Sequence, residues 1–233
     1  MTDWEYYATP LAFTRYLYWA MAKRGTPITG RCFEPCVGDG AIVAASTMPM
    51  HIPGVAPDTR RWQTNDLDER WPANQHGDAA MTSVWHHKDV RDVTDWTVTN
   101  PPFTPALKII DQALRFSTVG VAMHLRASIH EVLKTGIRRT WMREHTPTGI
   151  LWLPRFAYQR SKTTGKWTTD SVCACWVIWI KAINTQQFID YAPEWVIDEL
   201  DGGTTLYRAE MDRIMADRPP VREGTATFAG EIP

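Results

Sequence analysis

The chain has 233 residues, of which 44% are hydrophobic and 22% charged, with a formal net charge of −1. These are the proportions of an ordinary globular protein, with room for one α/β domain and little more. No apolar run approaches the roughly 20 residues that span a bilayer, and Met1-Thr2-Asp3-Trp4-Glu5 lacks the basic and apolar regions of a secretion signal, so no membrane partner and a cytoplasmic location are expected.

Thr9-Pro10 reads as an N-cap followed by proline at the first helical position; Phe13, Leu17 and Met21 follow at helical spacing, and Gly25 ends the helix. A short strand over 31–34 runs into the loop Pro35-Cys36-Val37-Gly38-Asp39-Gly40, and a small helix is predicted from Ala41. A second strand over 62–65 ends at Asp66. Asp78 closes a brief third strand, and 82–85 is predicted helical. Trp96 to Thr99 is a strand that leads into Asn100-Pro101-Pro102-Phe103. An amphipathic helix over 106–115 puts Leu107, Ile110 and Leu114 on one face; 119–125 is a continuous apolar strand; a helix over 131–145 carries Leu133, Ile137 and Trp141. Strands over 150–153 and 172–180 follow, and the Pro, Gly and Thr content after Arg218 predicts a loose tail.

Strands that alternate with helices and then come close together at the end predict a mostly parallel sheet with helices on both faces. Ligands of such sheets bind beyond the carboxyl ends of the strands. The loops after Glu34, Asp66, Asp78 and Thr99 are therefore expected along one edge.

The four cysteines form no Cys-x-x-Cys pair, and no His-x-x-x-His accompanies them, so no metal site is expected. The charge is unevenly spread. From Arg126 to Lys166 nine basic residues face Glu131 and Glu144, whereas from Thr185 to Asp217 eight acidic residues face Arg208 and Arg213. A cationic stretch within a neutral protein is the expected footprint of phosphate contact.

Three elements carry the chemistry. In Phe33-Glu34-Pro35-Cys36-Val37-Gly38-Asp39-Gly40, glycines after a strand let a ligand approach the backbone; no Lys-Ser/Thr follows, which argues against a phosphate-cradling loop. Asp66 stands about one strand-helix-strand length further on, where a carboxylate accepts hydrogen bonds from ribose hydroxyls in dinucleotide folds. In Asn100-Pro101-Pro102-Phe103 two prolines remove two N–H donors and leave carbonyls free to accept. The Asn100 oxygen and the Pro101 carbonyl together suit the two hydrogens of one NH₂ group, and Phe103 supplies a face for a flat heterocycle.

Together these elements resemble the amino-methyltransferases, the class I S-adenosylmethionine-dependent enzymes that methylate adenine N6 or cytosine N4 in DNA. Tyr7-Ala8-Thr9-Pro10 matches the short element ahead of the cofactor loop in that family, and the resemblance covers roughly residues 3 to 180. It implies a Rossmann-like fold whose mostly parallel seven-stranded sheet has helices on both faces and an antiparallel strand near the C-terminus. The methyltransferase domain is expected over 1–184 with a basic DNA-contacting insertion around 154–171, an acidic extension packed on it over 185–217, and a flexible tail over 218–233.

The resemblance further implies that Thr9 holds the methionine end of S-adenosylmethionine, that Tyr7 is among the cofactor-binding residues, that Glu34, Pro35, Cys36, Gly38 and Gly40 line its methionine and ribose, and that Asp66 binds the ribose hydroxyls. The cofactor's adenine amino group falls to Asp78 or to its competitor Asp89, with Asp78 preferred on loop length. Asn100 borders the cofactor and, with Pro101, Pro102 and Phe103, forms the catalytic loop. Hydrogen bonds to Asn100 and Pro101 would favour a pyramidal amine whose lone pair aims at the methyl group. The base must be flipped out of duplex DNA to get there. Phe156 and Tyr158 resemble the family's second stacking element, and Arg155, Arg160, Lys162 and Lys166 are placed to meet phosphates. No large target-recognition region is present, which predicts a short or loose recognition sequence. No obligatory protein partner is expected. RNA adenine, cytosine N4 or a protein glutamine amide remain alternative acceptors, and a non-catalytic module binding S-adenosylmethionine or DNA is the alternative of another class.

Overall fold

The computed structural model describes residues 7–48, 60–86, 94–130, 137–158, 166, 173–182 and 186–216. Helix α1 (Leu11–Lys23) starts one residue later than its sequence suggests. Pro10 is extended (φ −56°, ψ 132°) and makes no side-chain cap, while Thr9 turns its hydroxyl away from the helix. Strand β1 (Arg31–Glu34) leads into α2 (Ala41–Thr47), β2 (Arg61–Asp66), the two-residue β3 (Gln75–His76) and α3 (Thr82–Trp85). Then come β4 (Trp96–Thr99), α4 (Ala106–Phe116), β5 (Gly120–Arg126), a 3₁₀ turn over Ala127–His130, and α5 (Ile137–Glu144). The chain ends in β6 (Gly149–Trp152), β7 (Ala174–Ile180), β8 (Phe188–Tyr191) and α6 (Glu194–Ala216).

One sheet holds all eight strands in the order β3-β2-β1-β4-β5-β7-β6-β8. The pairs β3-β2, β2-β1, β1-β4, β4-β5 and β6-β8 are parallel, whereas β7 runs antiparallel to both β5 and β6. The eighth strand, at the edge beside β6, comes from the acidic C-terminal stretch, where no strand is read from the sequence. Strand order reverses between β1 and β4, so the loops leaving these two strands diverge and open a crevice at their carboxyl ends. Because β6 runs with β5 and β7 against them, the exits of β1, β2, β4, β5 and β6 and the entrance of β7 lie along the same edge.

Alternating strand residues feed two separate cores. On one face Phe13, Tyr16, Leu17 and Met21 of α1, with Ile42 of α2 and Val196 and Leu200 of α6, cover Trp96, Val98, Ala122, Trp176 and Ile178. On the other, Trp85 of α3, Ile109, Ile110 and Ala113 of α4, and Trp141 of α5 cover Phe33, Val121, Met123, Val177 and Trp179. The indole of Trp176, wholly buried on β7, donates to the Phe13 carbonyl at 2.9 Å and so ties α1 to the sheet. α6 is held against α1 by an Arg15–Glu199 ion pair and by Trp19 edge-on to Trp195. No helix among the described residues is long and apolar enough to cross a membrane.

Trp176→Ala removes a buried aromatic and leaves the Phe13 carbonyl without its donor, so a stability loss of about 3–5 kcal/mol is expected in urea unfolding. A loss under about 1 kcal/mol would show that α1 is held elsewhere.

Candidate functional site

The loop after β1 is pinned to the ends of β2 and β3 by backbone-directed bonds. The Asn65 side chain, fully buried at the penultimate position of β2, donates to the carbonyls of Pro35 (2.8 Å) and Gly77 (2.9 Å). Val37 N–H donates to the Asn65 carbonyl at 2.9 Å, and Gly38 N–H to Asp66 Oδ2 at 2.8 Å. Gly38 (φ +51°) and Gly40 (φ +80°) stand in the left-handed region that favours glycine, and the turn they make returns the chain into α2. Asp66 Oδ1 accepts from Asp68 N–H at 2.9 Å, and the Leu67 backbone N–H also bonds the carboxylate. Asp78 is exposed and caps the turn into α3, accepting from Ala80 N–H at 2.9 Å. Its competitor Asp89 lies outside the described residues.

Glu34 ends β1 with 1% of its surface exposed, and its Oε2 is buried with no hydrogen-bond partner among the described residues. Burial, and then the charges of Asp39 and Asp66, hold its carboxyl well above the ordinary carboxylate range. Asp66 is raised as well, chiefly by burial, against the opposing bonds from Asp68 and Gly38. Burial and the Asp66 charge push the Cys36 thiol up, which disfavours its thiolate. A buried acid with an orphaned oxygen, crowded by other acids, fits a ligand that carries positive charge. Pro35 is buried beside it.

The second half of the site forms around Asn100, just after β4. Its amide nitrogen donates to the Tyr7 carbonyl at 2.8 Å and to Thr9 Oγ1 at 3.1 Å, which fixes the carboxamide and folds residues 7–9 across the sheet edge. Among the described residues no donor reaches its oxygen. Pro101 is buried and Pro102 half-buried, and Phe103 tilts against Tyr7 with ring centres 5.1 Å apart. Asn100, Tyr7 and Phe103 share a pocket with Arg126 and His124 from β5 and with Tyr158. Tyr158 is edge-on to Tyr7 at 6.2 Å and its hydroxyl meets His124 Nε2 at 3.2 Å. His124 Nδ1 is buried with no partner among the described residues, and burial pushes the imidazole down to about 3, so it is uncharged at neutral pH.

The structure thus gathers Tyr7, Thr9, Asn100, Phe103 and Tyr158 at one place, and Glu34, Pro35, Cys36, Gly38, Gly40 and Asp66 at the neighbouring loop. Phe156 is different: it packs edge-on against Phe13 (5.9 Å) and Tyr158 (5.5 Å) within the core and does not line the pocket. Arg155 and Lys166 are exposed, and Arg160 and Lys162 lie outside the described residues. Among the described residues no group of His, Cys, Asp and Glu is arranged to hold a metal. Reading the sequence alone misses three participants: Asn65, His124 and, as a pocket residue, Arg126.

The raised carboxyl of Glu34 has a thermodynamic signature. A group whose folded pKa lies above its unfolded one binds an extra proton in the folded state, so stability is fully present below the ordinary carboxylate pKa and is lost as pH rises through the folded pKa. Glu34→Gln should therefore match the native protein near pH 4 and gain on it as pH rises toward 8, with a slope of at most about 1.4 kcal/mol per pH unit, the value for one proton. Denaturant unfolding across that range measures it; a difference independent of pH would mean that Glu34 is ionised in the fold.

No protein-family profile and no curated protein matches this sequence. Solved structures do. The methyltransferase subunit of a type I restriction-modification system from Streptococcus thermophilus is 11% identical with a TM-score of 0.55, over 86% of this chain and 53% of that one. A protein of Listeria monocytogenes assigned as a class I S-adenosylmethionine-dependent methyltransferase is 10% identical with a TM-score of 0.53, over 89% of this chain and 73% of that one. A Pyrococcus horikoshii protein assigned as an RNA methyltransferase is 15% identical with a TM-score of 0.52, over 78% and 88%. This chain spans about half the length of the Streptococcus subunit. At these identities the likeness is one of architecture, and the architecture is the Rossmann-like fold of the class I methyltransferases.

Proposed function

We propose that this protein transfers a methyl group from S-adenosylmethionine to the exocyclic N6 of adenine in DNA, on a base flipped out of the duplex. The observation that carries the reading is the Asn100 carboxamide: both its donors are committed to Tyr7 and Thr9, so its oxygen is what it has left to offer a substrate amine. The Pro101 carbonyl follows directly, and the Phe103 ring borders the same pocket. The loop after β1 stands beside it because β1 and β4 are neighbours in the sheet.

The residues of the β1 and β2 loops fit the cofactor. When bound, S-adenosylmethionine supplies an electrophilic methyl group on a sulfonium. Glu34 would face its positive end, with Asp66 accepting from the ribose hydroxyls and Asp78 at the adenine edge. Thr9, its oxygen accepting from Asn100, keeps its own O–H to donate toward the methionine carboxylate. The N6 lone pair of adenine is delocalised into the ring and is a poor nucleophile. Asn100 and Pro101, as two fixed acceptors, favour the pyramidal nitrogen in which that lone pair is released, a stabilisation specific to the transition state. Phe103 fixes the plane of the base.

Several observations favour nucleic acid over a protein amide: the basic surplus between Arg126 and Lys166, the exposure of Arg155 and Lys166, and the flat aromatic lining by Tyr7, Phe103 and Tyr158. The restriction-modification subunit among the similar folds points toward DNA, and the protein assigned as an RNA methyltransferase keeps RNA as the second substrate.

Labelled methyl transfer to duplex DNA, RNA and protein, followed by digestion to nucleosides and mass identification, is expected to yield N6-methyldeoxyadenosine. N4-methylcytosine, or label confined to RNA or protein, would sink the adenine-DNA assignment. Asn100→Ala should lower kcat by about 100-fold or more, the usual cost of removing one preorganised hydrogen-bonding group, while S-adenosylhomocysteine still binds.

A further inference from the structure

Glu34 closes β1, and its side chain leaves the sheet on the face covered by α1, as that of Cys32 does two residues earlier. The register that sets Cys32 beside Trp96 and Phe33 beside Thr97 carries on to Glu34 and Val98. Its carboxyl therefore lies on the side of the sheet where residues 7–9 cross the edge to reach Asn100. It is 1% exposed, and Oε2 has no hydrogen-bond partner among the described residues. From its own loop it faces Asp39 and the Cys36 thiol, and from the end of β2 it faces Asp66. β4 brings the uncharged Val98 and Thr99. α1 and α2 pack on this side with apolar groups and the Tyr18 phenol, whose hydroxyl donates to the Ile42 carbonyl.

A carboxylate in this position is cut off from water and stands beside the charges of Asp39 and Asp66, and both effects act against ionisation. The neutral acid avoids most of that cost. Once a cation lies against the carboxyl the balance reverses, because an opposite charge at contact favours the ionised form. The methionine arm of S-adenosylmethionine carries two positive charges, an ammonium and a sulfonium. Either one can take the place of a proton at the buried oxygen.

We propose that Glu34 carries a proton while the cofactor loop is empty and releases it to solvent as the positively charged arm of the cofactor enters. The O–H bond of the acid breaks, its electron pair stays on the carboxylate, and the proton leaves to water or buffer. One positive charge thus replaces another, and the crowded acids gain no net charge. The inference rests on the cofactor reading above and adds to it a regulation of the same site. Affinity for the cationic cofactor rises with pH through the range in which the empty site holds its proton, and levels off above that range. It falls in acid, where proton and cofactor compete for one carboxyl. A nucleoside without the charged arm leaves the proton in place.

The test uses the full chain and counts protons by titration calorimetry near pH 6.5, in two buffers of different ionisation enthalpy. That pH lies below the titration of the cofactor's own amino group, at about 8. Three nucleosides are compared: S-adenosylmethionine, S-adenosylhomocysteine, which keeps the ammonium alone, and 5′-methylthioadenosine, which has neither cation. The native protein should release about one proton with S-adenosylmethionine, and its Kd should fall by up to about tenfold per pH unit, the limit for one proton. 5′-Methylthioadenosine should release none. Release with S-adenosylhomocysteine assigns the ammonium as the displacing charge, and release with S-adenosylmethionine alone assigns the sulfonium. Glu34→Gln, close in shape and neutral at every pH, should bind S-adenosylmethionine with an affinity that hardly changes between about pH 5.5 and 7. Native protein that binds S-adenosylmethionine without releasing a proton, or a release that persists in Glu34→Gln, would overturn the proposal and leave the cofactor reading standing. If none of the three nucleosides binds at any pH, the cofactor reading itself fails and the proton exchange falls with it. The count on the native protein decides the matter even where the variant is poorly folded.

Discussion

Both N–H donors of the Asn100 carboxamide are spent inside the protein, on a carbonyl and a hydroxyl that lie 93 and 91 positions earlier in the chain. A primary amide has two donors and one acceptor group, so committing the donors decides which way the acceptor looks. This one arrangement also closes a wall of the pocket, because the segment it holds carries Tyr7 over Phe103. That segment runs directly into α1, and α1 is fastened to the sheet by the buried Trp176 indole. The orientation of a single side chain at the end of β4 therefore depends on the packing of a helix at the other end of the sequence.

The two halves of the site are built on opposite principles. Around Asn100 the protein presents acceptors and ring faces, with the Arg126 guanidinium over Phe103 and His124 kept uncharged by its burial. Around Glu34 it crowds acids together and lets one of them keep a buried oxygen without a partner. Such crowding costs stability in the empty protein, and it is relieved by positive charge. On the proposed reading, a sulfonium compound at one loop and a planar amine at the next would be the complementary pair for these surroundings. Asn65 keeps the acidic loop in place while carrying no charge itself, by gripping Pro35 and Gly77 at once.

Much of this was legible in the sequence, for a physical reason. Motifs at strand exits are local: a glycine turn after 31–34, an acid after 61–65 and a proline pair after 96–99 each announce a strand end, and a parallel sheet carries all strand ends to one edge. Elements whose stability is set by tertiary contact were less readable. β8 is a short edge strand with Ile189 and Tyr191 exposed, so no apolar alternation marks it. α6 contains Gly202 and Gly203, which argue against a helix until Val196 and Leu200 are seen to pack on α1. Thr9 and Pro10 look like a helix start, yet the hydroxyl serves Asn100 instead, a choice no local pattern contains. Arg126 follows an apolar strand and counts as one basic residue among nine; only the topology brings it over Phe103. Phe156 and Tyr158 read alike in the sequence, and both pack on Phe13, yet only Tyr158 also lines the pocket.

The uncharged His124 bears on the fate of the proton under the proposed chemistry. An aromatic amine that gains a methyl group becomes a strongly acidic cation, which releases its proton to any modest acceptor, water included. A strong general base would be of little use, and the pocket has none: its one imidazole is pushed down to about 3 and engages the Tyr158 hydroxyl. Before transfer the situation is reversed, since the amine must keep both hydrogens to be held by two acceptors. A basic histidine at that point would compete with Asn100 and Pro101 for one of them and spoil the alignment. Burying His124 beneath Tyr158 removes that competition while leaving a polar, shape-filling group behind the rings, so the same desolvation that disables the imidazole as a base preserves the geometry on which the methyl transfer would depend.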